Sequence, residues 1–220
     1  MTTPEIRAVA FDLDGLMFNT EELYQEVGAR SLRSRGKELT QELLDLMIGR
    51  PGHIALQTMI DFHDLDATVA DLQAENDANF AIILPEQLRP LPGLLDLLDA
   101  LESAQIPKAV TTSSRLSFVK TVLAQFDLEP RFQFLLTSED VVRGKPDPEI
   151  YQTASSRFGV TPAEMMVLED SEAGTRAAVA AGAFTVSIPG DHSRNHNFDG
   201  ARIVADSLQD TRIRYALQIR

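Results

Sequence analysis

From Leu94 to Asp206, short apolar runs alternate with amphipathic helical stretches, and this alternation constrains the fold more than any other feature. Helical LLDLLDALESA precedes strand-like IPKAVTT, and RLSFVKTVLAQF precedes FQFLLTS. EIYQTASSRFGV then leads to EMMVLED, the alanine-rich EAGTRAAVAAGA leads to FTVSIPG, and ARIVAD reads as a last edge strand. A repeated helix–strand rhythm of this kind predicts an α/β fold, a doubly wound parallel sheet with right-handed crossovers.

One strand stands apart from the others. Ala8–Phe11 is an apolar run too short for a helix, and no second strand candidate follows until beyond Leu84. Between them lie helical segments: one from Thr20 to about Arg35, closed by Gly36, then QELLDLMIG, then IALQTMIDF after the break at RPGH, then ATVADLQAENDANFAIIL. Pro85, Pro90 and Pro92 with Gly93 mark a return linker. The expected organisation is an α/β core of residues 1–15 and 88–220, carrying a helical insert of residues 16–87.

The bulk properties exclude several functions. A net charge of −13 leaves no basic face for nucleic acid or an anionic membrane. The chain has no cysteine, which removes disulfides, thiolate catalysis and sulfur-ligated metals. No secretion signal and no membrane-spanning apolar run are legible, so a soluble, cytoplasmic protein is expected, a monomer or weak dimer. A small phosphorylated metabolite remains a compatible partner, because it needs only one or two local cations and a metal.

Parallel strands present ligand-binding groups at their carboxyl ends, which all face one way. The first strand runs into Asp12, Leu13, Asp14 and Gly15. Such a sequence can be a simple polar turn. Two carboxylates so close also repel one another and call for a cation, with Mg²⁺ the natural hard ion. The other strand ends add Thr111, Thr112, Ser113 and Ser114, then Lys145, then Glu169 and Asp170. Together these supply a nucleophile, hydroxyl and amide donors, a cation and further acids, which is the inventory of phosphoryl transfer.

FDLDGLMFNTE, TTSS, GKPDPEIY and LEDSEAG, in this order, resemble the four signature motifs of the haloacid dehalogenase superfamily. The likeness is greatest to its β-phosphoglucomutase-like and sugar-phosphatase branch, and it covers almost the whole chain. The resemblance implies a Rossmann-like core with a small helical cap inserted after the first motif, and a Mg²⁺-dependent phosphatase. It makes Asp12 the nucleophile that becomes an aspartyl-phosphate, and Asp14 the general acid and then base, its backbone carbonyl on the metal. Thr112 and the amide of Ser113 would hold phosphoryl oxygens, and Lys145 would hold the phosphate against Asp12. Asp170 would be a direct metal ligand, and Glu169 a direct or water-mediated one.

The chain departs from the branch in its cap-side positions. Asn19 stands where these families commonly have Asp, and Tyr24 where the mutases carry a histidine. Arg50, followed by Pro51, is offset from the position of a phosphate-gripping arginine. Asn19, Tyr24, Arg50 and His53 are the expected substrate-facing residues, and the poor second anion site favours hydrolysis over a hexose-phosphate mutase. A non-catalytic binding module would have no need of Asp12, Asp14, Thr112, Lys145 and Asp170 together, and halide displacement needs no Mg²⁺. His192 and His196 in GDHSRNHN read as part of a polar surface loop, and Met165 and Met166 as core.

Overall fold

The computed structural model of the chain describes residues 5–47 and 52–219. The chain divides into two compact units, Met1–Asn19 with Arg89–Arg220, and Thr20–Leu88.

The first unit is an α/β sandwich. Its strands are β1 (Ala8–Phe11), β2 (Lys108–Thr111), β3 (Leu135–Leu136), β4 (Met165–Glu169), β5 (Phe184–Ser187) and β6 (Ile203–Val204). All pair in parallel, in the order β3-β2-β1-β4-β5-β6. The chain winds outward from β1 to one edge and then crosses to begin again at β4. The switch point therefore falls between β1 and β4, where open α/β sheets place their ligand crevice. Register does the rest. Phe11 lies level with Val110 on one side and Leu168 on the other, so the three strands release their next residues at one height.

Side chains alternate along each strand. Ala8, Ala10, Met165 and Val167 share one face, covered by Ile150, Tyr151 and Ala154 of α7 (Glu149–Phe158) and by Ala177 and Ala178 of α8 (Glu172–Ala181). Small residues on both strand and helix let α8 approach the sheet closely. Phe11, from the opposite set, meets Phe132 edge-on at 6.0 Å.

The second unit is helical. It contains α1 (Thr20–Arg33), α2 (Gln41–Met47), α3 (Gly52–His63) and α4 (Val69–Gln87). Leu32, Leu43, Leu56, Met59 and Leu72 form its core. Ser31 Oγ donates to Asn76 Oδ1 at 2.7 Å and Arg35 pairs with Glu75 at 2.7 Å, which ties α1 to α4. Thr68 and Asp71 cap α4 reciprocally.

Two elements differ from the expectation. Pro85 lies inside α4 and does not belong to a linker. It removes one helical hydrogen bond near the last turn, and the burial of Ile83 and Leu84 on that turn outweighs the loss. A C-terminal helix, α9 (Thr211–Leu217), also follows β6. Asp210 caps it by accepting from the Arg212 amide, and Ile213 and Leu217 are buried one turn apart. Helices α5 (Leu94–Ser103) and α6 (Leu116–Ala124) complete the α/β unit among the described residues.

Candidate active site

The chain leaves β1 at Asp12, whose backbone amide still bonds Leu168 O of β4 at 3.0 Å. Gly15 then turns the chain at φ +71°, a left-handed conformation that suits glycine. A side chain could not be accommodated there in any case. A Cβ on Gly15 would stand 2.4 Å from Asp170 Oδ2. Gly15→Ala is therefore expected to lower stability by at least about 1 kcal/mol and to disturb the acids beside it. Denaturant titration of the variant checks this, and an unchanged midpoint would show that the turn tolerates a Cβ.

Asp12, Glu169 and Asp170 are buried, and each offers a carboxylate oxygen within 4.8 Å of the others. Lys145 joins two of them. Its ammonium donates to Asp12 Oδ1 at 2.5 Å, to Glu169 Oε1 at 2.6 Å and to Thr111 O at 3.0 Å. Buried charges this close are tolerated only as a compensated network. Burial pushes the Asp12 carboxyl well above its ordinary 3.8; Lys145 pulls it back in part, and Glu169, Asp170 and Asp14 push it up further. Burial works against the Lys145 ammonium, but Asp12 and Glu169 outweigh it and hold the group charged.

Three carboxylates thus outnumber the ammonium that binds two of them, and their donor set is all oxygen. Hard divalent cations seek such a set, and the cluster fits one. Within it the acids are not equivalent. Glu169 Oε1 accepts from both Lys145 and Tyr151, the latter at 2.5 Å, while Oε2 accepts from Ser171 Oγ at 3.0 Å and Ser171 N at 3.3 Å. Those four bonds fill its lone-pair positions. Gly174 makes this packing possible, since a Cβ there would fall 1.8 Å from Glu169 Oε1.

Asp14 sits across from the end of β2. Ser114 Oγ donates to Asp14 Oδ2 at 2.6 Å, and Thr112 Oγ1 lies 3.4 Å from the same oxygen. The structure therefore brings together Asp12, Asp14, Thr112, Lys145, Glu169 and Asp170. Ser113 lies beside them on the exposed side of the β2 loop. Asn19 is buried, and its Oδ1 accepts from the Arg89 amide at 2.8 Å. In the helical unit Tyr24 is partly exposed and packs on Phe80 at 4.9 Å between ring centres, and His53 is exposed in the first turn of α3. Arg50 lies outside the described residues.

Three contributors were not assigned by sequence reasoning. Ser114 and Tyr151 stand inside quoted motifs, so only their roles were missing. His192 is a correction. Its Nε2 lies 2.7 Å from Asp170 Oδ2, so it belongs to the acid cluster and not to a solvated loop.

A parallel α/β sheet with carboxylates and a lysine gathered at its strand ends has the arrangement of an α/β enzyme's active-site crevice, with an acid cluster that could hold a divalent cation. Residues 9–188 match the model of the haloacid dehalogenase-like hydrolases, and the chain belongs to that family. It is 32% identical over 177 residues to a phosphorylated carbohydrates phosphatase of Thermotoga maritima, covering 80% of this chain and 82% of that one. It is 33% identical over 192 residues to a validoxylamine A 7′-phosphate phosphatase of Streptomyces hygroscopicus subsp. limoneus, covering 84% and 87%. Among solved structures, CbbY from Rhodobacter sphaeroides in complex with phosphate is similar at a TM-score of 0.77 and 27% identity, covering 93% of this chain and 96% of that one. No helix among the described residues is long and apolar enough to cross a membrane.

Proposed function

We propose that this chain is a Mg²⁺-dependent phosphatase that hydrolyses a small phosphorylated metabolite, with sugar phosphates the leading class, through a phosphoryl group carried on Asp12. The observation that carries the reading is the Lys145 ammonium held between Asp12 and Glu169 within a buried acid cluster. The two phosphatase relatives support hydrolysis over isomerisation.

Lys145 holds one Asp12 oxygen, so the other is the attacking atom. It forms a bond to phosphorus as the ester P–O bond breaks, and Asp14 gives its proton to the departing alcohol oxygen. Asp14, now a carboxylate steadied by Ser114, takes a proton from water. That water attacks the phosphorus, phosphate leaves, and the Asp12 carboxylate is restored. Thr112 and the Ser113 amide hold the phosphoryl oxygens. Asp12, Asp170 and the Asp14 carbonyl would hold Mg²⁺, which supplies charge neutralisation at the phosphoryl oxygens. Glu169, its oxygens already engaged, would contribute to the ion indirectly. The helical unit carries Tyr24 and His53 and supplies substrate selection.

A panel of sugar and nucleotide monophosphates, assayed for inorganic phosphate, tests the reading. Turnover is expected with Mg²⁺, lost in EDTA and restored by excess Mg²⁺. Full activity in chelator would remove the metal from the proposal, and turnover only in the presence of a catalytic bisphosphate would mark an isomerase.

A further inference from the structure

The segment between β5 and β6 is polar, and most of it behaves as a surface loop. Asp191 and Arg194 keep 95% and 74% of their side chains exposed. The residues between them do not. The His192 side chain is 17% exposed, and Ser193 is fully buried. Both are tied to the same acid. His192 Nε2 lies 2.7 Å from Asp170 Oδ2, and Ser193 Oγ donates to the Asp170 backbone carbonyl at 2.7 Å. Ser193 Oγ in turn accepts from the Gly190 amide at 3.2 Å, which closes the loop on itself.

The slot occupied by the imidazole depends on two absent side chains. A Cβ on Gly190 would lie 2.9 Å from His192 Cε1 and Nδ1, and one on Gly15 would lie 3.0 Å from Cε1. The ring thus fits between two glycines, one after β1 and one after β5. An ionised carboxylate only accepts, so Nε2 carries the proton in this bond. Fixing one carboxylate oxygen while the backbone carbonyl of the same residue is also held leaves the group little rotational freedom.

We propose that His192 is a positioning residue for the metal site: through Nε2–H it sets the orientation of the Asp170 carboxylate and so the affinity for Mg²⁺. The inference rests on the metal-dependent reading above. Partners of this kind orient a ligand before the ion arrives, and their removal commonly weakens metal binding by about 10- to 100-fold. A residue that only filled space in the loop would not have this effect.

The test is calorimetric titration of the full-length chain with MgCl₂ alone, without substrate, for wild type, His192→Ala and His192→Gln. The alanine variant is expected to bind Mg²⁺ about 10-fold or more weakly. The glutamine variant, whose amide N–H replaces Nε2–H, is expected to recover most of that loss. Melting temperatures without metal show whether each variant is folded, and the glutamine variant keeps the test alive should the alanine variant unfold. Wild-type binding with an unchanged constant in His192→Ala overturns the proposal by itself, as does a glutamine variant that is folded yet no better than alanine. Absence of Mg²⁺ binding in the wild type overturns the metal reading, and the role of His192 with it.

Discussion

Asp12→Asn is expected to abolish turnover and, in the metal-free protein, to raise the melting temperature. The first effect follows from removing the attacking oxygen while keeping its shape, and should exceed about 10⁴-fold in kcat. The second follows from the surroundings of the carboxylate. Burial raises its pKa well above 3.8, and the Lys145 ammonium compensates only in part. A group raised in the folded state favours folding below its ordinary pKa, and that contribution is lost as pH climbs through the folded value. As pH climbs from about 4 in the metal-free protein, ionising Asp12 therefore opposes the fold increasingly, and asparagine relieves this. The stability gain should grow as pH rises and vanish as pH falls toward about 4. Phosphate release and thermal melts across this range check both halves. Activity within about tenfold of wild type would remove Asp12 from its proposed role.

Lys145→Met should also damage activity severely and have the opposite effect on stability. Its ammonium touches Asp12, Glu169 and the Thr111 carbonyl, and only 5% of the side chain is exposed. Removing it leaves buried carboxylates facing one another, a change that typically costs about 3–5 kcal/mol. Activity should fall by at least about 10³-fold, since phosphoryl charge loses its fixed counter-charge. Acid should reverse part of the instability, because protonating Asp12, whose pKa burial already raises, removes part of the repulsion. Added Mg²⁺ should also restore some of it by supplying positive charge. Lys145→Arg is not expected to rescue, as a planar fork does not replace a compact ammonium that meets three acceptors. Denaturant titrations at pH 7.5 and pH 5, with and without Mg²⁺, read these effects. A variant as stable as wild type at pH 7.5 would show that the acid cluster is already compensated.

The sheet was legible in the sequence because each strand is short, apolar and followed by punctuation. The acids were legible because parallel strands must end at one level, so Asp12, Thr112 and Glu169–Asp170 could be placed together without knowing any distance. What escaped was of three kinds. Pro85 reads as a break from local propensity alone, and tertiary burial of Ile83 and Leu84 overrides it. Helix α9 offers only Ile213 and Leu217 as periodic apolar positions after a modest cap at Asp210, too little to stand out. His192 was missed for a different reason. Its partner is 22 residues away across a turn of the sheet, and its slot is made by glycines at 15 and 190, so nothing within its own window marks it. The same limit applies to Tyr151, whose hydroxyl reaches Glu169 from a helix facing the strand.

The pairing of Asn19 with Arg89 bears on how the chain is put together. Asn19 N donates to Arg89 O at 3.2 Å, and Arg89 N donates to Asn19 Oδ1 at 2.8 Å, so two residues 70 positions apart meet like the arms of a hairpin. To the sheet, everything from Thr20 to Leu88 is then equivalent to the tip of a short loop. Closing a long flexible loop has an entropic penalty that grows with its length. Here the segment has its own core around Leu32, Leu56 and Leu72, so its length carries little of that penalty once it has folded. The α/β unit can hence keep its register and its strand ends whatever occupies that interval. One polypeptide thus holds two stretches, each with its own core, that can vary separately.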